Sequence, residues 1–443
     1  MSAKIKKNAQ NQVEDISSSI EHILRPITYT SWLLGVGVAR PRKCPIATTI
    51  IIRILHLAAC TVYVVYGVKT LINSGNVFAD SVILKFTHLM NIVTFYVSTY
   101  YNICHGIRFY NKWPELMDKI KELDQKIERE TPINNRPIII LEALAFLMTI
   151  AWCPLYLTVH VLYYYFINPK DICVSDILFY YMMAQFLIAN FVFNIVVYVL
   201  CYRFKTINNL IRQLNELSDA SQMVSKIKRI RELHIGICHL VSMINDIHGR
   251  HLIFCSANSF AMVVSSLFLT YTSIMKENYS YFLVDNIIWI EYTIQFGLMC
   301  WICTLTHQES DKIGESICEI VLTCELMNPD KMNETSNQAN LECPPFEDPD
   351  SKQNSSSSNN LNYVVLENLL RKNLDRDCIR NEMNDFRIQL QQYQVAFTAC
   401  DFFEMNNALF AGFIGIVISY LTVFIEFYDH PESMDKNATM KLF

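Results

Sequence analysis

Seven stretches of this chain are apolar almost without interruption: Thr48 to Leu71, Val82 to Ile103, Pro137 to Tyr165, Ile177 to Cys201, Leu252 to Ile274, Phe282 to Cys303 and Leu409 to Phe427. Each holds about 19 residues or more, enough for a helix rising 1.5 Å per residue to cross a hydrocarbon core roughly 30 Å thick. Backbone polar groups in lipid have no water to bond, so spanning segments are helices or strands of a closed barrel. Continuous apolar runs, rather than alternation with period two, favour helices. The pattern predicts an all-α membrane protein with seven transmembrane helices. A shorter apolar piece, Ile27 to Val38 behind Pro26, is too short to cross and reads as a membrane-surface or re-entrant element.

The connections are unequal. Ile207, Leu210, Ile211, Leu214 and Leu217 recur at helical spacing, which predicts that helices four and five continue beyond the membrane. Asn381 to Phe403 places Ile388, Leu390, Tyr393 and Phe397 among polar residues, a second amphipathic stretch that needs a packing partner. The two stretches pack on each other within one chain or anchor one subunit to another. Between them, Asn328 to Asn360 holds Pro344, Pro345 and the run Ser355 to Ser358 with almost nothing apolar, the composition of a linker. The expected organisation is an amino-terminal segment 1–47, helices one to six over 48–303, an anchor region 304–408 containing the linker 328–360, helix seven at 409–427, and a tail 428–443.

Charge gives this layout an orientation. Lys and Arg near membrane ends stay cytosolic. Thirty of the 37 fall in the amino-terminal segment and the connections 104–136, 202–250 and 304–408, whereas the other connections and the tail together hold five. Arg53 and Lys85 lie within helices one and two and are expected to snorkel to the interface. The amino terminus is therefore expected in the cytosol and the carboxyl terminus outside, the reverse of a G-protein-coupled receptor. Residues 1–24 contain no apolar h-region, so no cleaved signal peptide is expected. Asn278 and Asn437 head sequons on the outer side and are the candidate glycosylation sites; Asn333 and Asn354 head sequons on the inner side.

Of the residues, 52% are hydrophobic and 18% charged, and the net charge of −5 points to no nucleic-acid partner. The 15 cysteines lie mostly within helices or inner loops, which indicates no disulfide framework. Cys300 and Cys303, with His307 one turn on, lack the second ligand pair that a structural metal site needs. Scattered histidines form no three-ligand set, so neither a metal cofactor nor enzymatic activity is expected. A transporter would show internal repeats or mid-membrane Gly and Pro breaks, and none is visible.

The approach to the last helix reads Ala399-Cys400-Asp401-Phe402-Phe403-Glu404-Met405, and the helix itself ends Ser419-Tyr420-Leu421-Thr422-Val423-Phe424-Ile425-Glu426-Phe427. This resembles the closing signature of the insect gustatory receptor family: Thr-Tyr, five apolar positions, then Gln-Phe. Leu233-His234 with Cys238, Leu240, Val241, Asn245 and Gly249 is similar to that family's approach to helix five. Ser419 stands for the family's Thr and Glu426 for its Gln; the second change adds a charge. The resemblance implies a tastant-gated, non-selective cation channel in the plasma membrane of a sensory dendrite. It also implies assembly as a homotetramer, or as a heteromer with related receptors, with the seventh helices around a pore and the cytosolic helices as shared anchor. An odorant-receptor-type subunit needing a co-receptor is the close rival; a seven-helix G-protein-coupled-type receptor is the remaining one.

On helix seven Ile416, Ser419, Val423 and Glu426 follow spacings of three, four and three and share one face. Four copies would stack these residues in rings, with Val423 a constriction able to dewet and Glu426 a carboxylate ring attracting cations. Phe427 matches the aromatic of the signature and is assigned to the gate. Polar and aromatic residues in the outer halves of the other helices suggest a cavity, because facing lipid would be costly. The candidate ligand contacts are Trp152, Tyr156, His160 and Tyr163 on helix three, His88 on helix two, Gln185 on helix four, and Asp285, Trp289 and Tyr292 on helix six. Aromatic faces with nearby acids and amides suit a sugar or an aromatic bitter compound. Asn190 and Asn194 read instead as interhelical hydrogen-bonders.

Overall fold

The computed structural model describes residues 20–73, 82–167, 174–216, 219–277, 282–326 and 377–429. Among them the chain is helical apart from short turns and one isolated bridge between Thr398 and Glu404. After a single turn at Ile20–Ile23 come α1 (Arg25–Leu33), α2 (Ile46–Asn73), α3 (Val82–Arg108) and α4 (Lys112–Glu128). They are followed by α5 (Arg136–Phe146), α6 (Cys153–Ile167), α7 (Val174–Arg212), α8 (Ala220–Met275), α9 (Phe282–Leu326), α10 (residues 377–392) and α11 (Asn407–Asp429). The linker reading for 328–360 and the glycosylation readings at Asn278 and Asn437 lie outside the described residues.

Six helical stretches are long and apolar enough to cross a bilayer: Ile46–Lys69, Arg136–Thr158, Ile177–Arg212, Ser221–Met275, Phe282–Ile320 and Asn407–Tyr428. The α3 helix, which holds the second expected crossing, has 27 residues but is not among them. Its run carries Lys85, His88, Asn91, Ser98, Asn102 and His105, which dilute the apolar signal. The third crossing is not one regular helix. Between α5 and α6, Leu147–Trp152 widens into a π-helical turn. Pro154 explains the widening, since it has no N–H for the ladder and its ring displaces the preceding turn.

The chain divides into two compact units. The larger comprises Met1–Tyr202, His239–His307 and Ala396–Phe443. In it α1 ends in a turn with Gly35 at φ 69° and Gly37 at φ 65°, the left-handed region where a side chain strains. A Cβ on Gly35 would also lie 2.0 Å from the His56 ring. The His56 Nε2 sits 2.8 Å from the Leu33 carbonyl oxygen, ten residues into α2, so the short apolar piece is a hairpin inserted alongside the first crossing.

Arg53 holds that hairpin. Its side chain is 1% exposed, and its guanidinium donates to the carbonyls of Gly37 (2.8 Å), Ile103 (3.0 Å) and Gly35 (3.3 Å). Snorkelling to water was the sequence expectation; the guanidinium instead finds backbone acceptors inside the fold. Gly106 makes room for it, since a Cβ there would sit 1.9 Å from Arg53 Nη1 and 2.0 Å from the Gly37 oxygen.

The smaller unit comprises Arg203–Cys238 and Gln308–Val395. The first amphipathic stretch packs as its periodicity predicts, with Ile207, Leu210, Ile211 and Leu214 buried, while Leu217 lies outside the described residues. In the second stretch Met383 and Phe386 are buried, as are Ile227, Ile230 and Leu233 of α8, whereas Ile388 and Tyr393 are exposed, so α10 packs a different face from the one read from sequence. Polar pins fix the register. Asn208 Nδ2 donates to the Glu309 carbonyl at 2.8 Å, and Arg231 pairs with Glu382 at 3.0 Å and Asp385 at 3.3 Å. Gln389 Nε2 reaches both the Arg231 carbonyl and His234 Nδ1 at 3.2 Å.

Candidate functional site

The α11 helix is apolar along its whole length, yet only 11% of its most hydropathic window is buried. Within it Phe413 and Val417 are buried, and its ring contacts fall along one stripe. Phe413 lies against Phe296 with ring centroids 4.6 Å apart, Tyr420 against Phe260 at 5.3 Å, and Phe424 against Phe268 at 5.6 Å. Phe413, Tyr420 and Phe424 recur at spacings of seven and four, so a single stripe docks α11 on α8 and α9. Edge-to-face rings let the stripe interlock without polar groups.

The remaining face is bare. Ile416 is 52% exposed, Val423 42% and Phe427 45%, and Ser419 and Glu426 are exposed as well. The Ser419 hydroxyl turns back to the Gly415 carbonyl at 2.9 Å. All five residues singled out from sequence are exposed in the protomer; Ile416, Ser419, Val423 and Glu426 lie to one side of the packed stripe, and Phe427 lies at the edge of that stripe. A carboxylate and a hydroxyl on an uncovered face of a spanning helix call for water or another protein surface rather than lipid.

The start of α11 is fixed by a tight turn. Asn245 on α8 donates from Nδ2 to the Ala396 carbonyl at 2.8 Å and accepts from the Thr398 N–H at 3.2 Å. Cys400 and Asp401 both take positive φ, 52° and 61°, which carries the chain through the reversal. Phe402 is 81% exposed at its tip.

The ligand-contact candidates are described unevenly. The side chains of His88, Trp152, His160 and Tyr163 lie outside the described residues. Gln185 is fully buried and its amide is committed: Nε2 donates to the Leu34 carbonyl at 2.7 Å and to the Tyr181 hydroxyl at 3.0 Å. The Tyr181 hydroxyl in turn meets His56 Nδ1. Gln185 thus seats the inserted hairpin, and a ligand would meet it as wall. Tyr292 is buried against Phe186 of α7, with centroids 5.0 Å apart. The Trp289 indole donates to Asn286 Oδ1 at 3.0 Å, and Asp285 is buried while Tyr156 and Trp289 are half-buried.

Several side chains outside that set belong with it. Tyr63, Phe95 and Phe179 form an aromatic cluster across α2, α3 and α7, with centroids 6.3 and 5.4 Å apart. Gln295 Nε2 and the Asn194 amide are buried polar groups without a hydrogen-bond partner among the described residues, and Asn258 lies beside the buried Tyr292 hydroxyl. Cys255 Sγ donates to Asn190 Oδ1 at 3.1 Å, which makes Asn190 an interhelical bonder as expected; Asn194 forms no such bond among the described residues. A polar stripe at helical spacing was the available signal for this group. No cluster of three metal-binding side chains occurs among the described residues.

Comparison with known proteins gives three findings. A family model described as 7tm Chemosensory receptor matches residues 24–336 and 363–429. No curated protein matches the chain. Among solved structures, the insect olfactory receptor OR5 from Machilis hrabei in complex with eugenol is similar with a TM-score of 0.55 at 10% identity, over 92% of this chain and 98% of that one. The structure titled for OR5 without a named ligand gives 0.54 at 10% identity, over 90% and 96%. At that identity the likeness is one of fold.

Proposed function

Because the chain belongs to the 7tm chemosensory receptor family, we propose that it is a gustatory-type channel in which a small tastant opens a cation pore lined by α11. Family membership makes it a multi-pass membrane chemosensory receptor and not an enzyme. The observation carrying the channel reading is the exposure along α11: Ile416, Ser419, Val423 and Glu426 are all uncovered to one side of the packed stripe. Symmetric assembly of four copies around that face gives Glu426 a hydrated lumen and lets Val423 close it by dewetting.

In this reading α3 supplies the second of seven crossings, the amino terminus is cytosolic, the tail is outside, and Asn278 and Asn437 are the glycosylated positions. The tastant, a sugar or an aromatic bitter compound, enters from outside and meets Tyr156, Asp285, Trp289 and Tyr292, with His88, Trp152, His160 and Tyr163 completing the cavity and Gln185 its floor. The OR5 structure holds eugenol, a small aromatic ligand, which supports a small-molecule site in this fold. Binding opens the pore only by favouring the open state over the closed one. Phe427, next to Glu426, completes the gate.

Expressing the chain alone and recording calcium entry against sugars, amines and bitter compounds tests this. Ligand-evoked entry without a co-receptor is expected; entry only with a second subunit would favour the odorant-receptor-type reading. Glu426→Gln is expected to reduce cation preference and Glu426→Lys to invert it. Unchanged reversal potentials in both remove Glu426 from the pore.

A further inference from the structure

A groove of about 500 Å3 opens where α2 begins and α3 ends. Its wall is apolar, formed by Ile46, Ile50 and Ile107, of which Ile46 is 54% exposed and Ile107 40%. Its rim is cationic, formed by Arg108 and Lys112. The two walls are the terminal turns of adjoining helices that read as membrane crossings, so the apolar part lies at hydrocarbon depth and the cations lie at headgroup depth.

The groove is built rather than incidental. Tyr110 forms its back and is held from three sides. Its hydroxyl donates to the Cys44 carbonyl at 3.2 Å, its carbonyl accepts from Arg40 Nε at 2.8 Å, and the Arg40 guanidinium lies 3.6 Å over its ring. Thr49 is fixed by the Trp32 indole at 3.0 Å. Arg108, by contrast, touches only the Phe109 ring, at 5.8 Å, and forms no ion pair among the described residues. Lys112 pairs with Glu115 at 3.0 Å, but Lys119 approaches the same carboxylate at 3.9 Å, so one acid serves two lysines. Asp246 lies in a second, smaller groove that shares Phe109 and Lys112 with this one, and the rim as a whole keeps a positive excess.

We propose that this groove binds one anionic phospholipid of the cytosolic leaflet. An acyl chain lies along Ile46, Ile50 and Ile107, and the phosphate bridges Arg108 and Lys112. Charge complementarity selects the occupant: the inner leaflet carries the anionic lipids, and juxtamembrane cations draw them. A neutral lipid fills the apolar wall equally well but leaves Arg108 unpaired. Because the Arg40 and Tyr110 contacts join the chain leading from the inserted hairpin to the α3–α4 turn, an occupied groove ties those elements together.

The test uses the purified full-length chain in lipid nanodiscs and native mass spectrometry after partial delipidation. Palmitoyl-oleoyl phosphatidylserine is compared with the phosphatidylcholine of the same chains. The serine lipid is expected to be retained at least about tenfold more strongly, and the double variant R108Q/K112Q to lose that preference. Both side chains are exposed, so elution volume and melting should match the unaltered protein. Ile50→Trp fills the apolar wall with the cations intact and is expected to abolish retention too. Equal retention of both lipids, or a double variant that keeps the preference, overturns the proposal. So does competition by glycerophosphoserine at the concentration at which intact lipid competes, since the groove would then read a soluble anion. Membrane orientation is checked separately by tag accessibility, so an error there is distinguishable from a failure of lipid selectivity.

Discussion

Replacing Arg53 with Met keeps an unbranched stem but loses the guanidinium, which removes three hydrogen bonds from a charged donor to the carbonyls of Gly35, Gly37 and Ile103. Bonds from charged groups contribute about 1.5–3 kcal/mol each, so the gross loss is about 5–9 kcal/mol. Part of it is offset, because burying a guanidinium costs several kcal/mol that Met does not incur. A net destabilisation of about 3 kcal/mol is expected, since the three carbonyls stay buried with no substitute donor. It falls on the hairpin first, because two of the three lost acceptors, Gly35 and Gly37, lie in its turn, where the His56–Leu33, Gln185–Leu34 and Ser31–Val36 contacts remain among the described residues. Arg53→Lys should recover little, as one ammonium cannot reproduce a planar fork spread over three acceptors. Gly106→Ala attacks the same point from the other side, with a methyl 2.0 Å from the Gly37 oxygen. The assay is melting of the detergent-solubilised protein followed by size-exclusion fluorescence, paired with limited proteolysis between residues 25 and 45. All three variants should melt about 5 °C lower or more and be cut earlier in that window. If Arg53→Met melts within about 1 °C of the unaltered chain, the guanidinium is solvated rather than bonded and the anchoring role is wrong.

Phe413→Ala on the packed stripe of α11 should destabilise by about 1–2 kcal/mol, less than the 3–5 typical of a water-soluble core because lipid replaces the transfer gain and only packing is lost. Ile416→Ala on the uncovered face should stay within about 0.5 kcal/mol in the same detergent melt, and the opposite ranking would contradict the assignment of faces. In the smaller unit, before the fifth crossing, burial lowers His234 from the ordinary histidine value to about 4, with the Phe204 and Phe386 rings 5.9 and 5.8 Å away. The unfolded chain binds that proton more readily, so stability is full above about pH 6.5 and is lost as pH falls from there toward 4, by roughly 1–1.5 kcal/mol at pH 5.5. His234→Phe should flatten the melting profile between pH 7.5 and 5.5, and an unchanged slope would show that other groups set it.

The helical nature of the apolar runs and the first amphipathic stretch were legible because each is written in local periodicity. The stretch read as the second crossing shows the limit of that local signal: α3 is a helix of 27 residues, but its polar side chains weaken its hydropathy and it is not among the six stretches long and apolar enough to cross a bilayer. Arg53 illustrates the same limit from the other direction. By position it belonged at an interface, yet its acceptors are carbonyls at residues 35, 37 and 103, brought together only by the hairpin inserted beside α2. Gln185 was read from sequence as a ligand contact, and tertiary packing commits its amide to the Leu34 backbone. The chain alone thus determined which segments form helices long and apolar enough to cross a membrane, because that signal lies within single helices. Which polar side chains meet one another was decided by the packing of helices far apart in sequence, since a buried hydrogen bond depends on two groups whose positions neither segment sets alone.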